Sequence, residues 1–488
     1  MSDLPRELET SLVSRRRFLA GAGATLGAAP LAALLGPDDA LAAVSPPTGA
    51  PPPTVYDVTT YGAQGDGQAD DTAPIQAAID AAHSRNGGTI VFPAGTFRIT
   101  GPLTLYSQIV FRGAGMRATV IRKSSGGPRY PILRSPQSLP LQPIHTFSLQ
   151  HMSLDGNREG GALGHGVDVY AYGYTLFNLS IFGCAERGIW SVYPDDLPAD
   201  GHPLEAMLAN VRVHNCTEGG IYWNGPHDSQ WMNVVVFHCG PPGIENGSTS
   251  KAVEVGPRGP GLRATNCHVW GLNHAYAWWL NAEAPGLVNC TGEGAEKAQV
   301  AVIGSDTQII GGKYFGARND RQAVAFQIGE IGLPAPAGTF MFTKVVNCNL
   351  GALKFVNDNG VGRYSLYVWQ TTGNAVVVRP GGHMRASNRF DLQVAGGAKM
   401  GDLAELKPVT YQEDMLARKS VEVRGDLRAG GPGARVGFLG AIPQAQVPGW
   451  SANGANRRTL SQDADLASVR EVLGTLVRDF KRYGLLGD

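Results

Sequence analysis

The chain has 488 residues, 65 of them glycine and 32 proline, and its Lys+Arg and Asp+Glu totals balance at 41 each. With 17% charged residues and no basic stripe, it is excluded from the nucleic-acid binders. High glycine with so little charge favours many short strands and tight turns.

Ser14-Arg15-Arg16-Arg17-Phe18-Leu19 opens a weakly apolar, Ala/Gly-rich run, and Ala40-Leu41-Ala42 offers small residues at a cleavage spacing. Residues 1–42 therefore read as a twin-arginine export signal, with the periplasm, cell surface or medium as destination. A membrane anchor is the alternative, but Gly21, Gly23, Gly27 and Pro30 interrupt a run already short for a span. Residues 43–54 form a stiff linker, reading SPPTGAPPP over 45–53, and the folded body is expected from Val55.

Next, Ile75, Ala78, Ile79 and Ala82 recur at i, i+3, i+4 and i+7, one face of a short helix. Asp71 or Thr72 can cap it, and Pro74 suits its first turn. Asp66, Asp70 and Asp71 resemble a metal or catalytic cluster, but turn and helix-cap roles explain them better.

From residue 155 onward a repeat emerges around the cysteines. The strings are Ile181-Phe182-Gly183-Cys184, Val213-His214-Asn215-Cys216, Val236-Phe237-His238-Cys239, Ala264-Thr265-Asn266-Cys267, Leu287-Val288-Asn289-Cys290 and Val345-Val346-Asn347-Cys348, at spacings of 32, 23, 28, 23 and 58 residues. Gly311-Gly312 and Asp155-Gly156 fit as further members. A recurring unit of this length, built of alternating apolar strands with no long amphipathic helix, predicts a β-solenoid. The fold class expected is all-β: a right-handed parallel β-helix over residues 55–395, with the short helix covering its open first coil. Stacked coils would align Asn215, Asn266, Asn289 and Asn347 in an asparagine ladder and all six cysteines in one inward column. Rung-spaced thiols sit too far apart for good disulfides, so free thiols are expected. With no CxxC or Cys/His cluster, no metal site is expected.

Residues 55–97 also carry a family likeness. They contain Tyr56-Asp57-Val58, Tyr61-Gly62-Ala63, Gly65-Asp66-Gly67, Asp70-Asp71-Thr72, Ile75-Gln76-Ala77-Ala78-Ile79 and Gly87-Gly88-Thr89-Ile90-Val91-Phe92-Pro93-Ala94-Gly95-Thr96-Phe97. This resembles the opening of the pectate-lyase-like superfamily, in the branch of rhamnogalacturonases, polygalacturonase relatives and phage tailspikes. The resemblance implies a polysaccharide substrate and no obligatory cofactor, with Ca²⁺ open for a lyase. In polygalacturonase relatives an Asp pair precedes Gly-His-Gly. Here Gly164-His165-Gly166 precedes Asp195-Asp196, so those catalytic roles do not transfer.

Aligning the coils on Gly166-Val167, Gly188-Ile189, Gly220-Ile221 and Gly243-Ile244 gives an outward column of Asp168, Trp190, Tyr222 and Glu245. Glu186 and Glu218 stand two residues before their glycines. Carboxylates beside aromatics suit acid–base chemistry on a sugar. Glu186, Glu218, Asp168 and Glu245 are thus the candidate catalytic acids. Trp190, Tyr222, His165, Arg187, His227 and Asp228 are the candidate substrate contacts, with His165, Arg187 and Tyr222 as bases should the reaction be a lyase's. A turn is the simpler role for His227-Asp228, and Trp270, Tyr276, Trp278 and Trp279 read equally as core or as a sugar platform. Hydrolysis is slightly favoured, because acids outnumber bases; a non-catalytic glycan-binding or tail-like protein is the alternative.

After residue 395 the rungs fade into a connecting segment, 396–435. In the closing segment, 436–488, Leu466, Val469, Leu473, Leu476, Phe480 and Tyr483 form a heptad seam. This tail is similar to the closing segment of phage tail fibres, which implies a homotrimer through the terminal helix; packing of that helix on its own β-helix is the alternative.

Overall fold

Parallel, in-register pairing of one coil on the next organises the chain. The computed structural model describes residues 54–395, apart from 137–141, 194–203, 242–248, 317–322, 347, 349, 358–361, 370–373 and 379–387, together with 435–436 and 444–445. The export signal, the linker and the heptad seam lie outside the described residues.

Each coil gives two short segments to one large parallel sheet and one strand to a second. One such coil runs from Met207–His214, bent within the large sheet, to Gly219–Asn224 in the second sheet. Its neighbours pair residue for residue: Leu208 with Leu176 and Trp231, and Ile221 with Ile189 and Val253. The result is the right-handed parallel β-helix that the repeat predicts. Inward positions hold one continuous apolar core, including the fully buried Trp223, Trp231 and Trp278. Each buried Ile, Val or Leu contributes roughly 1.5–3 kcal/mol.

The bend in the large sheet is made by asparagines in the left-handed region, at φ between 52° and 53° for Asn178, Asn210, Asn233, Asn266 and Asn289. Asparagine reaches that region at less cost than other non-glycine residues. Its amide also bonds the next coil: Asn210 Nδ2 donates to Asn178 Oδ1 at 2.6 Å, Asn233 to Asn210 at 3.2 Å, and Asn289 to Asn266 at 2.7 Å. The ladder therefore exists with Asn266 and Asn289 as expected, and with Asn178, Asn210 and Asn233 as its further members. Asn215 stands at the second bend, beside Gly183 and His238, all three left-handed, and Asn347 lies outside the described residues.

The same displacement splits the cysteines. All six are free and buried. Cys184, Cys216 and Cys239 each follow by two residues the register partners Phe182, His214 and Phe237, forming one file. Cys267 and Cys290 follow Thr265 and Val288 and form a second file behind the asparagine bend. Cys348 follows Val346, which rejoins the first file's side through Phe315, Glu293 and Trp270. The single column expected is thus two, because each coil has two bends and a small inward residue suits both. The thiols donate to carbonyls two residues back, as Cys216 does to His214 and Cys267 to Thr265, each at 3.4 Å.

Helix Thr72–His83 covers the first coil, burying Ile75, Ala78, Ile79 and Ala82 against strands Val55–Asp57 and Gly88–Phe92. Asp71 holds its N-cap position, but its carboxylate accepts from the N–H groups of Gln64 and Gly65 at 2.7 and 3.1 Å. Asp70 accepts from Thr72 N–H at 3.1 Å, and Asp66 from Gln68 and Ala69 at 2.8 and 2.9 Å. All three acids are structural.

The ladder has a measurable consequence. Asn210→Ala loses amide bonds on both sides and places a Cβ-bearing residue without a polar side chain at positive φ, a cost of about 1–3 kcal/mol. Asn210→Gly keeps the bend and should cost less. Chemical denaturation of the two variants checks this; equal midpoints for Asn210→Ala and wild type would remove the ladder from the stability account.

Candidate functional site

The second sheet carries an outward ladder through successive coils. Register places Arg134 next to Asp168, Asp168 next to Trp190, Trp190 next to Tyr222, Tyr222 next to Glu254, and Glu254 next to Trp279. The fourth coil therefore aligns through Ala252-Val253, and Glu254 takes the place expected for Glu245, which lies outside the described residues. Requiring a glycine in the alignment hid this, since alanine packs inward equally well there.

The aromatic side chains spend their faces on one another. His165 stacks on Trp190 at 5.2 Å, and Trp190 on Tyr222 at 4.2 Å, with interplanar angles of 18° and 27°. The Arg187 guanidinium lies 5.9 and 5.3 Å from the centres of the Trp190 and Tyr222 rings. The expected substrate contacts Trp190 and Tyr222 thus form a stacked column that offers ring edges and the Tyr222 phenol.

Ion pairs hold two of the site's four described acids, Glu186 and Glu254. Glu186 is gripped by Arg129, through Nε and, at 2.7 Å, Nη2, and by His165 Nε2 at 3.1 Å. Burial alone would raise its carboxyl, but the Arg129 hydrogen bond and the charges of His165, Arg129 and Lys123 hold it below the usual range. Glu218 is exposed, one coil away, with its N–H on the Glu186 carbonyl at 3.3 Å. Glu254 accepts from Arg187 Nη2 and from Lys251 Nζ, both at 2.7 Å. Two cations share that carboxylate, leaving net positive charge beside Tyr222. The Asp168 carbonyl accepts the Ser135 N–H at 3.1 Å, but its carboxylate makes no hydrogen bond or ion pair among the described residues. Burial raises its carboxyl, Arg129 opposes the rise and Glu186 adds to it. The Tyr222 phenol is also raised, first by burial and then by Glu254. Burial thus holds Asp168 and Tyr222 toward their protonated forms, while Arg129 holds Glu186 toward its charged form.

His165 is buried, and burial is the main reason it stays neutral down to about pH 4. Geometry agrees: its Nδ1 accepts the Arg187 N–H at 3.1 Å, which puts the single ring proton on Nε2, facing Glu186. Beneath the site, the inward Lys123 ammonium sits on the carbonyls of Tyr130 and Leu163, 4.4 Å from the Tyr130 ring, and burial pulls it down to about 8.

His227 and Asp228 follow the strand Gly219–Asn224 in a turn with a cis Gly225–Pro226 peptide. Trp223 Nε1 and Ser229 Oγ anchor it by donating to the Pro226 carbonyl at 3.1 and 2.9 Å. His227 Nδ1 faces Asp228 Oδ2 at 2.9 Å, and the ring meets Tyr193 edge-on at 5.5 Å. The pair is thus a turn that also presents an oriented imidazole. Of the other tryptophan-rich patch, Tyr276, Trp278 and Trp279 are buried and Trp270 is half-buried.

Sequence reasoning missed Arg129, Arg134, Lys251 and Glu254. Arg134 and Glu254 were reachable by carrying the register one coil further in each direction. Arg129 precedes its strand, and no spacing marks it. Among the described residues, no group of three or more His, Cys, Asp or Glu converges to hold a metal ion. The Ca²⁺ left open for a lyase finds no carboxylate cage among the described residues.

The His165–Glu186 contact sets a pH dependence. His165 binds its proton less readily folded than unfolded, so the unfolded chain takes up more protons between the ordinary histidine range and about pH 4. The Glu186 carboxyl, held low, acts with the same sign at lower pH. Stability should fall as pH drops through this window, and His165→Asn should flatten the upper part of the slope in melts taken across pH. An unchanged slope would assign the acid sensitivity elsewhere.

Comparison with known proteins adds a family. Residues 55–140 match the family described as rhamnogalacturonase A/epimerase, pectate lyase-like. Mannuronan C5-epimerase AlgE1 of Azotobacter vinelandii is 40% identical over 205 residues, which are 37% of this chain and 14% of that protein. Alginate lyase 7 of the same organism is 38% identical over 113 residues, covering 21% of this chain and 13% of that protein. The chain thus spans a small part of the curated relatives it matches. The A-module of mannuronan C-5 epimerase AlgE4, also from Azotobacter vinelandii, superposes with a TM-score of 0.43 at 17% identity, covering 71% of this chain and 100% of that one. The chain is thus a right-handed parallel β-helix protein whose first coils, residues 55–140, match the rhamnogalacturonase A/epimerase, pectate lyase-like family.

Proposed function

We propose that this is an exported enzyme acting on a uronate-containing polysaccharide laid along the second sheet, and that it removes the proton next to the sugar carboxylate. The carrying observation is the Tyr222 phenol, kept protonated beside a cluster in which Arg187 and Lys251 share the single carboxylate of Glu254. Surplus positive charge suits an anionic sugar and stabilises negative charge that develops on its carboxylate. His227 is the assigned base. Asp228 accepts the hydrogen bond of its Nδ1–H, leaving Nε2 free to accept a proton. Proton loss at C5 leaves an enolate-like carboxylate. Return of a proton to the opposite face, from Tyr222, inverts C5. Expulsion of the neighbouring glycosidic oxygen instead, with a proton delivered to it, breaks the chain and leaves an unsaturated sugar. Epimerase and lyase thus share a first step, and proteins named for both reactions are among the relatives.

Hydrolysis, slightly favoured by counting acids, has less support here. It needs two carboxyl groups free to act. Glu186 is held by Arg129 and His165, and Glu254 by Arg187 and Lys251, so a hydrolase would have to pair Asp168 with the exposed Glu218. Export by the twin-arginine route rests on the Ser14–Leu19 motif, and trimer formation on the resemblance of the tail.

Incubation with polymannuronate, polygalacturonate and a neutral glucan in D₂O tests the reading. Deuterium at C5, or ultraviolet absorbance from an unsaturated product, is expected with a polyuronate. New reducing ends with neither signal would make it a hydrolase, and binding with no product would make it a glycan-binding protein. Tyr222→Phe and His227→Gln should each lower turnover by about 10²–10⁴-fold. Glu186→Gln should instead lower the melting temperature.

A further inference from the structure

The large sheet carries a feature unrelated to the ladder just described. At the strand Gln308–Phe315 the asparagine bend is replaced by Gly311-Gly312, at φ of 66° and 79°. The register shifts by one residue there, since Ile310 pairs with Phe342 but Lys313 with Lys344. The missing side chains and the bulge leave a hollow of about 300 Å³, lined by Gly311, Gly312, Phe342, Thr343, Lys344 and Tyr367. That is the lower end of the range for ligand clefts, roughly 300–1,000 Å³. Thr343 Oγ1 donates to the Gly311 carbonyl at 2.6 Å and fixes one wall.

Two properties of the hollow point to its occupant. Phe342 is 60% exposed, and its column neighbours are Ile310 and Ser365, so no aromatic neighbour in the column stacks on its ring. Lys313 and Lys344 are register partners, two like charges one rung apart. Such a pair is destabilising unless an anion lies between them. Neither makes an ion pair among the described residues; each lies over a ring, Lys313 at 3.6 Å from Phe315 and Lys344 at 5.4 Å from Tyr367.

We propose that this hollow is a second, non-catalytic binding site for an acidic sugar, with a pyranose ring against Phe342 and its carboxylate on Lys344, whose positive charge the register partner Lys313 reinforces from one rung away. The choice of a uronate rests on the proposed function; the place of the site does not. It would hold polymer on a sheet other than that of the ladder, as an anchor separate from turnover.

Gly311→Asn gives the sharpest test. The atoms nearest a Cβ at residue 311 belong to Asn289, at 3.8 to 3.9 Å, and the left-handed backbone suits asparagine. The variant should fold, extend the ladder and fill the hollow. Phe342→Ala and Lys344→Ala remove the two recognition groups from exposed positions. Calorimetry with a mannuronate oligosaccharide, on a Tyr222→Phe background that blocks turnover, should show one class of site lost in Gly311→Asn. In Phe342→Ala that class should weaken roughly three- to tenfold. A neutral malto-oligosaccharide should not occupy it. With Tyr222 intact, turnover of short oligouronates should stay at the wild-type level in all three variants. Unchanged affinities, equal binding of the neutral sugar, or lost self-association in place of lost sugar binding would each overturn the proposal. A protein that shows no C5 chemistry yet loses oligouronate binding in Gly311→Asn would keep the site and discard only the proposed reaction.

Discussion

In-register stacking of parallel coils is the constraint on which everything else depends. A strand in this molecule satisfies its backbone groups only through the coils above and below. Its side chains then meet their register equivalents about 4.8 Å away, whatever they are. Alike side chains must therefore tolerate alikeness, or opposite charges must be interleaved. The amides of Asn178, Asn210 and Asn233 donate and accept in turn, so their repetition is favourable. Leu208 on Leu176 and Trp231 repeats apolar burial. Arg187, Lys251 and Glu254 interleave charge, and Lys313 opposite Lys344 does not.

The same constraint explains what was legible in the sequence. Repetition is visible because stacking rewards it, so the solenoid, the free thiols and the capping helix with Ile75, Ala78, Ile79 and Ala82 follow from spacing and pattern. Phase is less visible. Each coil bends twice, and both bends accept a left-handed Asn or Gly followed by a small inward residue. Asn215 and Asn266 therefore look equivalent in the sequence and stand at different corners. Cys239 and Cys267 look one coil apart and belong to different files. The fourth rung of the site was lost for a related reason: Ala252 packs inward in the role that glycine has in the neighbouring coils.

Within the site, residue types were legible and partnerships were not. Asp168, Trp190 and Tyr222 stand in one outward column as alternation requires. Spacing carries no information on where a long side chain turns, so the Arg129 grip on Glu186, across 57 residues of sequence, could not be read. That grip turns a candidate acid into a fixed charge. Asp168 and Tyr222, by contrast, are pushed by burial toward their protonated forms.

The files of buried thiols carry an implication for how such a molecule comes apart. A coil touches only its neighbours, so a solenoid can lose structure locally, a few turns at a time. Cys184, Cys216 and Cys239 mark consecutive turns, Cys267 and Cys290 mark the next two, and Cys348 lies nearer the far end. Each sulfur is sealed until its own turn loosens. The molecule therefore contains its own graduated gauge: the order in which these sulfurs become reachable is the order in which the stack opens.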